Sequence, residues 1–214
     1  MDGALVGAAL AFVAIAGAVS DGHEHAADAV AAGAVACLVE RPVATIGVPQ
    51  LVVRGSRPSA AIAASWVNGD PSAGLGVIGI TGTDGKTTTA WLIRAMLEAC
   101  GIATGLVGTI DTIVGGRSLG NPGRATTPEA PELQGHLAAM RDTGDAWAVI
   151  ETTSHGLALD RVLDVAYDVG VFTNLTSEHL ELHGTIEAYR AAKQRLFEHL
   201  APRSEEHTSE LQSH

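Results

Sequence analysis

The apolar residues in the second half of this chain fall into short continuous runs that are separated by longer amphipathic stretches. Runs of strand length begin at Val77, Ala103, Ala146 and Val169. The stretches between and after them predict helices over 86–100, 128–143 and 186–200. Strands that are apolar throughout are typical of a parallel sheet covered by helices on both faces. We therefore predict an α/β fold for residues 73–202.

Residues 1–72 show a second, smaller pattern. Short apolar runs alternate there with one helical stretch at 25–32, which indicates part of a small α/β domain. Residues 68–72, Asn-Gly-Asp-Pro-Ser, form a cluster of turn-forming residues and predict the linker between the two domains.

The uncharged run 3–19 could belong to a signal peptide, a short membrane span or a buried strand. Asp2 precedes the run, where a signal peptide carries Lys or Arg. Gly and Ala are frequent in it, where a membrane span is rich in Leu and Ile. We predict a buried strand at 11–16 and no stable insertion into a membrane.

Residues 203–214 are polar and break the alternation of strands and helices. Their sequence, RSEEHTSELQSH, looks like the in-frame translation of a common sequencing adapter. We treat this segment as a non-native tail outside the fold. Amplifying the source DNA past codon 202 tests that interpretation, because a different downstream sequence is then expected.

Charge and cysteine content narrow the possible functions. The formal net charge is −11, whereas a nucleic-acid surface needs clustered Lys and Arg, so nucleic acid is not expected as a partner. The acidic side chains either form a solvated surface or hold metal ions. Cys37 and Cys100 stand alone without a CxxC motif, which predicts two buried thiols in a cytoplasmic protein.

The strongest chemical signal is the glycine loop after the apolar run at Val77, which reads Gly82-Thr-Asp-Gly-Lys-Thr-Thr88. Glycines let backbone N–H groups surround phosphate oxygens, and the N-terminus of the following helix adds a favourable field. Lys86 can reach the β- and γ-phosphates of ATP, and the Thr87 hydroxyl can bind Mg²⁺. Ile80 stands where the full P-loop pattern has its first glycine. A glycine-rich turn without a nucleotide is therefore the alternative.

The predicted strands and helices also assign a place to two further polar residues. Glu151 ends the apolar run that starts at Ala146, so it lies at the sheet edge where α/β proteins bind ligands. The alternative is a solvated carboxylate at the end of a strand. Thr127 precedes Pro128, which predicts Thr127 as the N-cap and Pro128 as the first residue of a helix.

Lys193 shares a face with apolar residues of the predicted helix 186–200. The spacing places Tyr189, Lys193, Leu196, Phe197 and Leu200 in one stripe. A lysine on a buried face loses solvation, which lowers its pKa. The alternative is a buried aliphatic stem with the ammonium group in water.

The motifs together resemble those of the Mur ligase family. The resemblance covers about residues 10–202 and follows the family's order through the glycine loop, Thr126-Thr-Pro128, Glu151-Thr-Thr-Ser-His155, the run 172–184 and the run 189–197. Upstream, Asp21-Gly-His is similar to the end of the family's uridine-binding domain. Order and spacing are most similar to the member that adds the third residue of the peptidoglycan peptide.

The resemblance implies roles for individual residues. It implies an ATP site at Gly82, Thr83, Asp84, Gly85, Lys86, Thr87 and Thr88. Contacts with the muramoyl substrate are implied at Thr126, Thr127, Thr153 and Arg161. Mg²⁺ ligands are implied at Thr87, Glu151, His179 and Lys193, the last as a carbamate formed from CO₂. Lys86, His179 and Lys193 are implied to be catalytic, although a lone His in a loop such as His179 is often only a surface residue.

Four positions depart from the family pattern. Asp84 replaces the usual Asn, which places a carboxylate near the phosphates. Glu178 and Glu181 replace aspartates, and Leu159 stands where many members have Gln.

The resemblance implies a P-loop-type central domain and an ATP-dependent amide-bond ligase that acts on UDP-N-acetylmuramoyl-dipeptide and an amino acid. We expect a cytoplasmic monomer that lacks the family's C-terminal domain and is inactive by itself. Two alternatives stay open: another Mur-type or folylpolyglutamate-type ligase, and a polypeptide that only binds nucleotide.

Overall fold

The computed structural model describes residues 10–17, 20–44, 46–176 and 183–200, and it contains two sheets. The smaller sheet is parallel with the order β1-β2-β3, from Leu10–Val13, Ala34–Val39 and Gln50–Val52. A 3-10 turn at Gly22–His25 leads into α1 (Ala26–Ala31) between β1 and β2. Helix α2 (Ser56–Val67) follows β3, and a second 3-10 turn, Pro71–Gly74, falls at the predicted linker.

The larger sheet has six strands in the order β7-β6-β5-β8-β4-β9. The strands are β4 (Gly76–Thr81), β5 (Thr104–Val107), β6 (Thr112–Val114), β7 (Arg117–Gly120), β8 (Trp147–Glu151) and β9 (Val169–Phe172). The helices are α3 (Lys86–Ala99), α4 (Ala130–Thr143), α5 (Ser154–Ala158) and α6 (Ile186–Glu198). The α/β prediction is confirmed, including the three long helices.

Helices cover both faces of the larger sheet, as expected. One apolar cluster joins β4 and β8 to Leu133 of α4, Leu157 of α5 and Leu196 of α6. The other cluster packs Ala90 and its neighbours on α3 against the opposite face. Strands β5, β8, β4 and β9 run parallel, so their carboxyl ends lie at the same edge of the sheet.

The sheet is not wholly parallel, because β6 and β7 form an antiparallel hairpin at its edge. Gly115 and Gly116 connect them with φ angles of 53° and 75°. A two-residue turn with positive φ at both positions matches the twist of a hairpin and favours glycine. The Gly-Gly pair was the signal that could have predicted this hairpin.

Four local predictions for the structure were wrong. Cys37 is buried as expected, but Cys100 is exposed because it follows the end of α3. The first strand ends at Val13, not at residue 16, because the Gly22 N–H donates to the Ile15 carbonyl where the chain reverses. The region before residue 72 contains a second long helix, α2, whose Pro58 lies in the first turn, where a missing N–H costs little. Helix α4 starts at Ala130 with Glu129 as its N-cap, so Thr127 and Pro128 do not begin it.

Helix α2 packs against α4 and ties the smaller sheet to the larger one. The Arg57 guanidinium contacts the Glu129 carboxylate at the start of both helices, at 3.2 Å. At the other end, the Arg141 guanidinium donates to the carbonyls of Asn68 and Gly69. Contacts of start with start and end with end mean that the two helices run side by side in the same direction.

Across the described ranges, no helix has both the length and the apolar character needed to cross a membrane.

Candidate functional site

A cavity of about 470 Å³ opens at the carboxyl edge of the larger sheet. With the exception of Glu151, every predicted site residue in the described part of the chain lines this cavity. We call its two sides the phosphate wall, residues 82–88, and the substrate wall, formed by Thr126, Thr127, Thr153 and Arg161. His179 is the other predicted residue, and it lies outside the described residues together with Glu178 and Glu181.

The phosphate wall begins where β4 ends. Gly82 has φ +149°, and a Cβ there would lie 1.8 Å from the Thr173 hydroxyl, so only glycine fits. Gly85 has φ +80° and is the N-cap of α3. The first turn of α3, with Lys86, Thr87 and Thr88, therefore faces the cavity with its N-terminus, where an anion is favoured.

A loop that follows β9 holds the phosphate wall in place. The Thr83 N–H donates to the Asn174 carbonyl at 3.0 Å, and the Asp84 N–H donates to Asn174 Oδ1 at 2.9 Å. The Thr173 hydroxyl donates to the Asp84 carbonyl at 2.6 Å. The unusual Asp84 is thus fixed through its backbone, while the residue itself is exposed.

Lys86 folds back over its own loop, with Nζ 2.9 Å from the Gly82 carbonyl and 2.7 Å from the Thr83 carbonyl. Lys193 reaches the same Gly82 carbonyl from α6, at 2.7 Å. The two ammonium groups therefore meet at one backbone oxygen of the phosphate wall. Positive charge gathered on this side of the cavity is suited to phosphate oxygens.

Lys193 is buried, with 2% of its surface exposed, so the alternative with its ammonium in water is wrong. Burial first, and the charge of Lys86 second, lower the pKa of Lys193 to about 8. Its Nζ also lies 4.3 Å from the centre of the Tyr189 ring. The predicted stripe is correct for Tyr189 and Leu196 but not for Phe197, which is 39% exposed.

Glu151 is fully buried at the end of β8, so the alternative of a solvated carboxylate is also wrong. The Thr87 hydroxyl donates to Oε2 at 2.8 Å. Thr109 donates twice, through its hydroxyl to Oε2 and through its N–H to Oε1, both at 3.0 Å. A Cβ on Gly108 would lie 2.3 Å from Oε1, so the carboxylate fits only against a glycine.

Glu151 and Thr87 offer the hard oxygen donors that Mg²⁺ prefers, and Mg²⁺ keeps several water ligands of its own. The described residues do not by themselves gather three or more His, Cys, Asp or Glu side chains into a metal site. The oxygen donors that are present nevertheless fit a Mg²⁺ ion bound jointly by the protein and a phosphate group.

The substrate wall is a network of hydroxyl groups. The Thr127 hydroxyl donates to the Glu151 carbonyl at 2.8 Å and lies 3.0 Å from the Thr153 hydroxyl. Thr153 caps α5 by accepting the Gly156 N–H. The Thr126 hydroxyl lies 3.0 Å from that of Thr109, which links this wall to the carboxylate of Glu151. Thr127 is therefore held by β8 rather than used to cap α4.

Arg161 closes the substrate wall. Its Nη1 donates to the Thr127 carbonyl at 2.9 Å, and its Nη2 lies 2.8 Å from Glu129 Oε1. The rings of His155 and His183 are 5.9 Å apart, and the His183 ring is 5.2 Å from that of Tyr189.

Sequence reasoning missed Thr109, Glu129, Asn174 and Tyr189 as parts of the site. Thr109 is the last residue of the predicted apolar run 103–109, so its place at the sheet edge was an available signal. Tyr189 was placed in the apolar stripe and in the family-like run 189–197, but no role was predicted for its hydroxyl, which lies 3.1 Å from that of Thr83. Asn174 belongs to the family-like run 172–184, but its contacts were not predicted, and nothing in the local pattern indicated those of Glu129.

Comparison with known proteins shows the family of the chain. The profile of the Mur ligase middle domain matches residues 80–205. A UDP-N-acetylmuramyl-tripeptide synthetase of Roseiflexus sp. is 46% identical over 89% of this chain and 38% of the relative. A UDP-N-acetylmuramoyl-L-alanyl-D-glutamate--2,6-diaminopimelate ligase of Geobacillus kaustophilus is 44% identical over 96% of this chain and 42% of the relative. The chain thus spans about two fifths of the length of these relatives.

Solved structures give the same result. A structure of a UDP-N-acetylmuramoyl-L-alanyl-D-glutamate--2,6-diaminopimelate ligase superposes with a TM-score of 0.73 at 28% identity, covering 92% of this chain and 39% of that one. MurF from Acinetobacter baumannii superposes with a TM-score of 0.66 at 25% identity, covering 94% and 40%. The matched residues include the phosphate wall from its first glycine and continue into α6. This chain belongs to the Mur ligase family.

Proposed function

We propose that this chain carries the ATP-binding part of a ligase that joins the third amino acid to UDP-N-acetylmuramoyl-L-alanyl-D-glutamate in peptidoglycan synthesis. The observation that carries the proposal is one cavity with a phosphate wall on one side and a hydroxyl-rich wall with Arg161 on the other. The names of the relatives support the choice of substrate. We also propose that the protein acts as a monomer in the cytoplasm.

In the proposed reaction, a carboxylate of the muramoyl substrate attacks the γ-phosphate of ATP. An acyl phosphate forms and ADP leaves, and the amine of the amino acid then displaces phosphate to give the amide. Lys86 lies on the phosphate wall, where its charge offsets the negative charge of the transferring phosphoryl group. Bound Mg²⁺ would supply the remaining neutralisation of that charge.

Three groups of residues are proposed to orient the phosphates, hold the metal and position the muramoyl substrate. The N-terminus of α3 orients the phosphates, and Thr87 and Glu151 are proposed to hold the metal with His179 and a carbamate of Lys193. Carbamate formation needs a neutral amine and CO₂, and the lowered pKa of Lys193 raises the neutral fraction near physiological pH. Thr126, Thr127, Thr153 and Arg161 are proposed to position the muramoyl substrate, with Arg161 suited to a carboxylate.

The direct test uses protein expressed from its complete coding sequence. Purified protein is incubated with ATP, Mg²⁺, UDP-N-acetylmuramoyl-L-alanyl-D-glutamate and candidate amino acids, and the tripeptide product is sought by mass spectrometry. We expect product with one amino acid, and ADP release that depends on the dipeptide substrate. Release of ADP without any dipeptide dependence would refute the proposed substrate. The 214-residue chain alone is expected to bind nucleotide weakly and to form no tripeptide.

A second measurement tests the proposed carbamate. Lys193→Ala should lose activity, and bicarbonate or a short carboxylic acid should restore part of it by replacing the missing anion. If Lys193 matters only for packing, thermal unfolding shifts to a lower temperature and the added acid restores nothing.

A further inference from the structure

Glu129 contacts both the substrate wall and helix α2 through a single carboxylate. Its Oε1 lies 2.8 Å from Arg161 Nη2, and its Oε2 lies 3.2 Å from Arg57 Nη1. We propose that Glu129 is a positioning residue: it fixes the guanidinium of Arg161 for the muramoyl substrate and links that orientation to α2. The inference rests on the proposed function, and it adds a residue to which neither the motifs nor the relatives assign a role.

Arg161 needs such a partner because few other contacts fix its guanidinium plane. Its Nη1 donates to the Thr127 carbonyl, and its Nε is buried without a hydrogen-bond partner among the described residues. A guanidinium is planar, so two contacts at different nitrogens define its orientation, whereas one contact leaves it free to rotate. Loss of Glu129 would leave the neutral Thr127 carbonyl as the acceptor that holds Arg161.

The three charged side chains of this network contribute more to the orientation of Arg161 than to the stability of the fold. The side chains of Arg57, Glu129 and Arg161 are 29%, 42% and 20% exposed, respectively. Ion pairs with this degree of solvent contact contribute little to folding. The main consequence of removing the Glu129 carboxylate is therefore expected in substrate binding, with little change in the unfolding temperature.

The link to α2 gives Arg57 a secondary effect. Helices α2 and α4 are also joined at their far ends, through Arg141 and the carbonyls of Asn68 and Gly69. The Arg57 end of this pair of helices leads to the cavity through Glu129 and Arg161. Arg57→Ala should therefore resemble a Glu129 variant but with a smaller effect, because Glu129 keeps its shorter contact with Arg161.

The test compares Glu129→Gln with Glu132→Gln in protein expressed from its complete coding sequence. Glu132 lies one turn further along α4, is half exposed and lies 3.6 Å from His136. We expect Glu129→Gln to raise the KM for the dipeptide substrate about tenfold, which corresponds to about 1.4 kcal/mol. The KM for ATP and kcat should stay within about twofold of wild type. This is expected when a variant weakens dipeptide binding equally in the ground state and in the transition state. Glu132→Gln should behave as wild type.

Two results would overturn the inference. One is an unchanged dipeptide KM in Glu129→Gln. The other is a further rise when Glu129→Gln is added to Arg161→Ala, because a residue that acts through Arg161 has no effect in its absence.

A readout without turnover separates this inference from the proposed function. In ¹⁵N–¹H spectra the Arg161 Nε–H signal, assigned by its loss in Arg161→Lys, should shift or broaden in Glu129→Gln and not in Glu132→Gln. If the signal responds in this way while wild type shows no dipeptide-dependent ADP release, the proposed function fails and the positioning of Arg161 stands. A signal that is the same in all three proteins refutes the positioning role whatever the activity.

Discussion

The two walls of the cavity are built in different ways. The phosphate wall is a single run of residues, 82–88. Its shape is set by the backbone, including two glycines with positive φ. The substrate wall brings together the segment before α4, the N-cap of α5 and a residue beyond α5, and side-chain hydroxyls connect them. A wall made from one segment carries its chemical signal in adjacent residues, even though a loop after β9 holds it in place. A wall made from three segments has no such continuous signal.

Glu151 and Thr109 lie where the two walls meet. The carboxylate of Glu151 accepts from Thr87 of the phosphate wall, and its backbone carbonyl accepts from Thr127 of the substrate wall. Thr109 bonds the same carboxylate and the Thr126 hydroxyl. The difference between the walls therefore predicts variants that affect ATP alone, the muramoyl substrate alone, or both.

The largest effect is expected for Lys86→Ala, which removes a cation from the phosphate wall and leaves the substrate wall intact. Loss of one such preorganised group lowers kcat by about 10³-fold. Steady-state kinetics of the complete protein should show this loss together with weaker ATP binding. Binding of the dipeptide substrate, measured by calorimetry without ATP, should be unchanged.

Wild-type turnover in Lys86→Ala would refute the assignment of the phosphate wall. Weaker dipeptide binding in the same variant would mean that the two walls are not independent. Lys86 donates hydrogen bonds to two carbonyls of its own loop, so its loss could also change the loop structure. Thermal unfolding of the variant is the control for such a change.

The same contrast explains what the sequence could predict. The phosphate wall was predicted because its glycines, Lys86 and Thr87 are adjacent in the chain. Glu151 and Lys193 followed from elements with clear periodicity, a continuous apolar strand and an amphipathic helix. The burial of Lys193 was expected from its stripe and is confirmed, whereas for Glu151 only the position at the sheet edge was expected. The hydrogen-bond partners of both residues could not be predicted from these patterns.

Contacts between distant segments escaped prediction. Asn174 accepts the N–H of Asp84 from a loop ninety positions away along the chain, and Glu129 contacts Arg57 over a similar interval. No local periodicity encodes such pairs. Helix α2 was missed for another reason: its run of Ala and Ser residues gives little contrast between a buried and an exposed face.

The next largest effect is expected where the walls meet, at Gly108. In Gly108→Ala the new methyl group would lie 2.3 Å from Glu151 Oε1, so the carboxylate must move away from its three donors. Such overpacking costs about 1–3 kcal/mol of stability. Urea unfolding should detect this loss, and binding of both substrates should weaken.

Gly135→Ala is the matched control for Gly108→Ala. Gly135 lies within α4, and a Cβ there would have no heavy atom within 4 Å. Alanine favours the helix over glycine by about 0.5–1 kcal/mol, so this variant should be slightly more stable than wild type. Equal stability of the two alanine variants would contradict the contact between Gly108 and Glu151.

A pH-dependent effect is expected for Lys193. Its pKa is about 8 in the folded chain and 10.5 in the reference state, so the unfolded chain binds more protons between these values. Stability rises with pH wherever the unfolded state binds more protons. Unfolding free energies of wild type minus Lys193→Met should therefore be flat below pH 7.5 and increase from about pH 8 to 10.5, measured in CO₂-free buffer.

Lys86 provides the control for this measurement, because its charge is the second cause of the lowered pKa of Lys193. In a Lys86→Met background the increase should begin at a higher pH, since less repulsion raises the pKa of Lys193. A difference between wild type and Lys193→Met that does not change with pH would mean that the lysine has the same pKa when folded and unfolded.

The smallest effect is expected for Thr109→Val, and it gives the sharpest test of how the walls are connected. The substitution removes the hydroxyl that contacts Glu151 Oε2 and the Thr126 hydroxyl, while the backbone N–H bond to Oε1 remains. Loss of one hydrogen bond costs about 1 kcal/mol, or about a fivefold rise in KM. Both the ATP and the dipeptide KM should rise, and Thr109→Ser, which keeps the hydroxyl, should be close to wild type. A rise confined to ATP would show that Thr109 serves the phosphate wall alone and that the Thr126 contact carries no binding energy.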